Sequence, residues 1–364
     1  MTLLSFMAKR AAVSALQLVL LSVATFAIYF AVPVDSATIL VGLSQQRATP
    51  EERELANRAL GTDRPVVVQY ADWASGLVRG DFGISWLNAE VSLQGELVGV
   101  PVRDVLFDAA KVTGSLALGG ALVILLLALP LGMLAATRPR GMLDRTVLLV
   151  SLVAISTHPL VVAVLLRTVA AEHWGIAPAF GYCSLVGSSI PEGQSVLSSL
   201  QQQPCGGLVE WAHHLLLPWI AFALFLLALY VRMLRARTLA VLDEDYIRTA
   251  RAKGLPEWRV VTRHAARNAI APVVTMLAMD LGMALGIAIY LETVFRLPGL
   301  GRLALAALAG EVGYDLPMIL GVVVFTGIVI IVLNLVADLV VALLDPRVRE
   351  AGSRRVAVSG PHVA

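Results

Sequence analysis

The chain is poor in charge, in aromatics, in lysine and in cysteine. Only 15% of its 364 residues are charged and 6% are aromatic, whereas a soluble domain runs at about 25% charged. With 58% hydrophobic residues and a mean hydropathy of +0.79, that scarcity excludes an ordinary cytosolic protein. It excludes disorder as well, which needs low hydrophobicity and high charge. Lysine supplies 3 of the 28 basic residues, a bias that points to a GC-rich genome and carries no mechanism. The net charge of +2 is too small for a nucleic-acid binder. No Gly-x-x-x-x-Gly-Lys-Ser/Thr run is present, so the chain lacks the loop that cradles nucleotide phosphates. His158, His213 and His214 show no metal-type spacing and read as boundary or solvated residues.

What is present is apolar sequence in long blocks. Six stretches, about 11–32, 112–136, 147–170, 213–234, 269–293 and 317–344, reach the roughly 20 apolar residues that cross a hydrocarbon core. The fold class is therefore an all-α polytopic membrane protein with six transmembrane helices. Lys9 and Arg10 precede the first stretch, but it runs to Val32 without a small-residue cleavage pattern, so it reads as a retained anchor rather than a signal peptide. Basic residues orient the rest. With the N-terminus inside, eighteen of the 28 fall in inner segments, nine of them between Arg232 and Arg267. The outer segment 171–212 has none. Both termini are thus expected in the cytoplasm.

The organisation expected is an N-terminus and first span (1–32), an outer helical segment (33–110), a five-helix core (111–345) with a cytoplasmic loop at 240–265, and a flexible tail (346–364). In the outer segment, Thr49-Pro50-Glu51-Glu52 has the pattern of a capping box, and Gly61 sits where that helix would stop. Val66, Tyr70, Trp73 and Leu77 then share one helical face, which suits a small cap or a partner-binding surface. Cys183 and Cys205, 22 residues apart on the oxidising side, read as a disulfide rather than a metal site. Within the spans, Asp280 is an acid near mid-membrane, which costs on the order of 2.5–3.5 kcal/mol on insertion scales. It should face the pathway or hydrogen-bond to a neighbouring helix. Asn334 and Asp338 are four apart and suit a helix contact, and Pro130 and Gly132 are expected to bend the second span.

The inner loop is the informative part. From Asp243 to Trp258 acids open the run and bases close it, as a helix dipole prefers. Gly254 falls where a left-handed residue ends a helix, and Pro256 can start the next one at its first turn. Ala250 and Gly254 keep the turn small enough for another protein surface to approach. A plain helical hairpin on a basic inner loop would fit the same residues.

This loop, Asp245-Tyr246-Ile247-Arg248-Thr249-Ala250-Arg251-Ala252-Lys253-Gly254-Leu255, resembles the EAA-type coupling loop of ABC importer permeases, and most closely the dipeptide/oligopeptide/nickel branch. Further pieces fit in order: Asp63-Arg64-Pro65, Arg79-Gly80-Asp81-Phe82-Gly83, Arg263-His264, Glu292-Thr293-Val294-Phe295, Pro298-Gly299-Leu300-Gly301 and Leu344-Asp345-Pro346-Arg347. The loop around Cys183 and Cys205 looks longer than in that branch, and Asp280 stands where a neutral polar residue is commoner. The resemblance implies a type I importer permease that pairs with a second, homologous permease. Asp245, Tyr246, Thr249, Ala250, Lys253, Gly254 and Leu255 would couple it to cytoplasmic ATPase subunits. ATP and Mg would be bound by those partners, with no cofactor in this chain, and an extracytoplasmic binding protein would deliver short peptides, nickel, glutathione or another small solute. Two other classes compete. An intramembrane hydrolase would need more than the adjacent Ser156, Thr157 and His158, and a secondary transporter would show inverted repeats in matching halves.

Overall fold

The computed structural model describes residues 3–31, 50–60, 63–86, 90–91, 97–185, 202–308 and 315–344. Thr49, Gly61, the tail from 345 and most of the segment between the two cysteines lie outside the described residues. The elements are helices α1 (Leu3–Ala31), α2 (Pro50–Leu60), α3 (Val66–Val78), α4 (Val102–Thr137), α5 (Met142–Ser156), α6 (Pro159–Leu165), α7 (Leu208–Leu242), α8 (Asp245–Ala252), α9 (Glu257–Arg259), α10 (Ala266–Phe295), α11 (Leu300–Leu308) and α12 (Leu316–Leu344). Two-residue strands form two minimal pairs, β1 (Glu90–Val91) antiparallel to β2 (Leu97–Val98), and β3 (Cys183–Ser184) parallel to β4 (Gln203–Pro204).

Among the described residues, five helical stretches are long and apolar enough to cross a membrane: Met7–Ile28, Val102–Thr137, Leu208–Leu242, Pro272–Phe295 and Leu316–Val340. The stretch expected at 147–170 is not one helix. It breaks after Ser156, restarts at Pro159, and continues as a π-helix over Leu166–His173. Pro159 has no N–H to give and its ring excludes a helical residue before it. His158 accordingly turns extended (ψ 142°) and caps the restarted helix, its side chain accepting from the Leu160 N–H.

The core is the pairing of α4 with α7, joined by α10. Gly119, Gly120 and Gly132 of α4 meet Trp219, Phe222 and Leu234 of α7 so closely that any Cβ would overlap those side chains. Small residues let helix backbones approach in a membrane, where dispersion contacts replace the hydrophobic drive. Gly132 therefore has a packing role, whereas the sequence suggested a bend. Trp219 Nε1 also donates to the Ser115 carbonyl at 2.9 Å. At the periphery, α1 is tied to α12 by Arg10 and Asp338, 3.1 Å apart. Tyr70 and Trp73 of α3 pack on Phe26 of α1, with ring centroids 5.2 and 5.5 Å away. Val66, expected on the same buried face, is exposed.

Candidate functional site

Three constructions stand out: the inner loop, a cavity beside the broken helix, and a buried carboxylate at the far end of α10. In the loop, α8 ends in a double backbone closure. Leu255 N–H donates to the Ala250 carbonyl and Gly254 N–H to that of Arg251, with Gly254 at φ +76°. These are the paired bonds of a Schellman ending, which needs a left-handed residue at this position. Nothing lies within 4 Å of where a Gly254 Cβ would be, so backbone conformation, not crowding, selects glycine. Pro256 precedes the next helix as its cap, one position earlier than the sequence suggested, and Glu257 opens α9. A π stretch (Val260–Ala265) then carries the chain into α10.

The loop is held from within. Ile247 and Ala250 are buried against Leu242, Val260, Val261 and Ala265, with Leu255 partly buried beside them. Ala250 thus faces inward at 7% exposure, which corrects its expected place on the approach surface. Its small side chain brings α8 close to the helix beneath. The outward face carries Asp245, Tyr246, Thr249, Lys253 and Gly254. Tyr246 is 41% exposed, and its hydroxyl accepts from Asn268 Nδ2 at 2.9 Å. Thr249 Oγ1 donates to the Asp245 carbonyl. Arg251 grips Glu257 through two nitrogens, at 3.1 and 2.6 Å, across the turn. That guanidinium holds the Glu257 carboxyl below its usual range, and the carboxylate raises Arg251 in return.

The helix break opens a cavity of about 630 Å³ between α5, α6, α7 and α10. Ser156, Thr157 and His158 line one side, Phe225 another, and Asp280 and Tyr290 a third. Asp280 lines the cavity and also bonds a neighbouring helix, the second of the two roles open to it from sequence. Its Oδ2 accepts from the Tyr230 hydroxyl of α7 at 2.7 Å.

Glu292 is fully buried at the other end of α10 and gathers three donors. Thr113 Oγ1 of α4 donates to its Oε1 at 2.6 Å, while the Gly301 and Arg302 N–H groups of α11 donate to Oε2 at 2.8 and 3.1 Å. Thr113 Oγ1 also accepts from the Leu300 N–H at 2.9 Å. Arg296, left-handed at φ 54°, turns the chain between the helices, and Arg302 donates to its carbonyl at 2.8 Å. Burial first, and the Arg296 charge second, lower the Arg302 guanidinium from its usual value.

Residues 3–98 match the N-terminal membrane component, and residues 128–350 the inner membrane component, of binding-protein-dependent transport systems. The chain belongs to this family. It is 32% identical over 329 residues to the dipeptide transport system permease protein DppB of Escherichia coli (strain K12), covering 89% of this chain and 93% of that one. It is 31% identical over 319 residues to the "Probable peptide ABC transporter permease protein y4tP" of Sinorhizobium fredii, covering 87% and 90%. As a permease, the chain has its inner loop and its cavity within the 128–350 match, and Glu292 as well, while its partner Thr113 lies between the two matched ranges.

Other expected residues fall as follows. Cys183 and Cys205 are joined, with Cα atoms 5.0 Å apart, beside the β3–β4 pair. His214 and Glu210 stand next to Cys183, their ligand-type atoms within 4.8 Å of one another. The Cys183 sulfur is committed to the disulfide, and His214 Nδ1 lies 3.0 Å from the Glu210 carbonyl. Asn334 lies near Gly282 of α10 and Asp338 on Arg10 of α1, so the two serve different helix contacts. Sequence reasoning missed Thr113 as a partner of Glu292 and His158 as a cap. A proline directly after a histidine in mid-span was the available signal for the second. No local signal links residues 113 and 292.

Proposed function

We propose that this permease is one half of the translocation pathway of an ATP-driven importer for short peptides. The reading has it span the membrane six times, the broken α5–α6 segment being the third crossing, with both termini in the cytoplasm. A second, homologous permease completes the pathway, and an extracytoplasmic binding protein delivers the cargo. ATP and Mg are bound and turned over in separate ATPase subunits. The peptide cargo follows the names of the relatives.

The observation that carries the reading is the mounting of α8. An eight-residue helix stands on a buried apolar base, closed by a left-handed glycine, and leaves its outward face uncovered. A helix so fixed transmits a push from a docked ATPase into α10, since α9 and the π stretch run straight into it. Asp280 and its cavity lie on the pathway in this picture, and the Cys183–Cys205 bond pins the outer loop.

The test is reconstitution of the permease with its partner permease, ATPase subunits and binding protein in proteoliposomes. Peptide uptake that depends on ATP and on the binding protein is the expected result. Uptake of nickel or glutathione instead would keep the role and replace the cargo, and uptake without ATPase subunits would end the reading. For the disulfide, peptide mapping without reductant should find 183 linked to 205. Two alkylatable thiols in the native protein would remove it.

A further inference from the structure

The cavity beside the helix break has a chemistry of its own. Among the described residues, Asp280 is the one carboxylate in its lining, and no arginine or lysine joins it. Tyr230 occupies Oδ2, while Oδ1 has no hydrogen-bond partner among the described residues. An acid at this depth is costly unless something compensates it. A single hydroxyl does so only for one oxygen.

A second feature has the same sign. The fifteen-residue helix α5 ends at Ser156, on the wall of the cavity. The last carbonyls of a helix have no partners within it and carry partial negative charge. Thr157 Oγ1 covers one of them, that of Val153. The opposite, positive end, where α6 begins, is blunted because the His158 ring takes the Leu160 N–H. Phe225 and Tyr290 add aromatic rings, whose faces attract cations. The volume of about 630 Å³ lies within the roughly 300–1,000 Å³ of small-molecule sites.

We propose that this cavity is an amine site, in which the free oxygen of Asp280 receives a protonated primary amine of the passing cargo. The proposal rests on the permease reading and deepens it, because unblocked peptides, apart from those that begin with proline, carry a primary amine at their N-terminus. Asp280 is then a specificity-determining residue: it does not move the transporter, but it sets which cargo finds a counter-charge midway. Tyr230 is a positioning residue that fixes the carboxylate and leaves one oxygen to the cavity.

The probe is n-butylammonium, with 1-butanol as the neutral match of similar size. Met283 lines the cavity and is 67% exposed, so Met283→Cys places a thiol beside Asp280. In the assembled complex, maleimide labelling at position 283 is read by mass with each additive at equal concentration. The ammonium should slow labelling by at least about threefold more than the alcohol, the scale of an ion pair open to water. Asp280→Asn should erase that difference and Asp280→Glu should keep it. Equal slowing by the two additives, or a difference that survives Asp280→Asn, overturns the proposal. Should Asp280→Asn fail to assemble, the comparison is carried by the parent and Asp280→Glu complexes, and loss of amine preference in either one overturns it. Peptide uptake is measured in parallel on the parent complex. Uptake with no amine preference sinks the site and spares the importer, whereas amine preference without peptide uptake sinks the peptide cargo and spares the site.

Discussion

Two helix interfaces are built from apolar sequence and come out as opposites. Where α4 meets α7, glycines face Trp219, Phe222 and Leu234, and no space is left for a methyl group. Where α5 and α6 face α7 and α10, a proline interrupts the helix and about 630 Å³ stays open. Hydrophobicity brings both interfaces into the membrane and does not distinguish them. Size complementarity does: a small residue opposite a large one closes an interface, and a broken ladder of hydrogen bonds opens one. The closed interface is scaffold, and the open one holds the cavity proposed above as an amine site.

The sharpest way to break this contrast is to add volume on both sides of it. Gly120→Leu drives a side chain into the Phe222 ring, and overpacking of this kind costs about 1–3 kcal/mol or more. The amount of assembled permease surviving a heat step in detergent should fall steeply. Gly286→Leu, beside the cavity with nothing within 4 Å of its Cβ position, should survive like the parent. Equal losses would mean that the cavity wall is as tightly built as the scaffold.

Next in size is the Glu292 cluster, which ties the scaffold to α11. Glu292→Ala leaves the Gly301 and Arg302 N–H groups without their acceptor and the Thr113 hydroxyl with only the Ala109 carbonyl, 3.3 Å away. These amides are partly buried, so each loss sits toward the low end of the roughly 1–3 kcal/mol that a stranded buried group costs. The unfolding midpoint of the purified protein should drop, and less so for Glu292→Gln, which keeps one acceptor oxygen. An unchanged midpoint in the alanine variant would deny the cluster any structural part.

The loop should behave differently from both. Gly254→Trp places a Cβ at φ +76°, a strain of roughly 1 kcal/mol or more, and puts an indole on the outward face. Heat survival of the spans should stay near the parent value, while peptide uptake and cargo-stimulated ATPase activity fall. Wild-type uptake and stimulation would show that this loop does not couple. The smallest effect concerns Glu257, whose pairing with Arg251 is exposed and contributes about 0.2–1 kcal/mol. Its pKa is lowered on folding from 4.5, so the contribution is complete above that value and is lost as pH falls through the lowered one. Protease nicking of the loop should rise on acidification more in the parent than in Glu257→Gln, and identical profiles would remove the ion pair from the account.

Much of this was legible residue by residue. The apolar runs predict five of the long helices, and Gly254 with Pro256 predicts the turn to within one position. Where the reading slipped, the cause was a face or a partner. Ala250 looks like a surface residue until Val260, Val261 and Ala265 are seen beneath the helix. The sequence reads Pro159 as part of a continuous span because apolar residues flank the polar triplet Ser156-Thr157-His158 closely on both sides.

Sequence alone determined what depends on neighbours along the chain: the apolar lengths, the charge asymmetry of the loops, and a helix ending that needs a residue without a Cβ. Those are set by backbone hydrogen bonds and solvation, which act within a few residues. Tertiary structure alone decided that Glu292 meets Thr113, that Asp280 meets Tyr230 while facing a cavity, and that Gly119 and Gly120 serve close approach. A helix presents several apolar faces, and only the fit of large against small side chains on another helix selects which face is buried. That choice decides which polar groups inside the membrane find partners and which are left for a ligand.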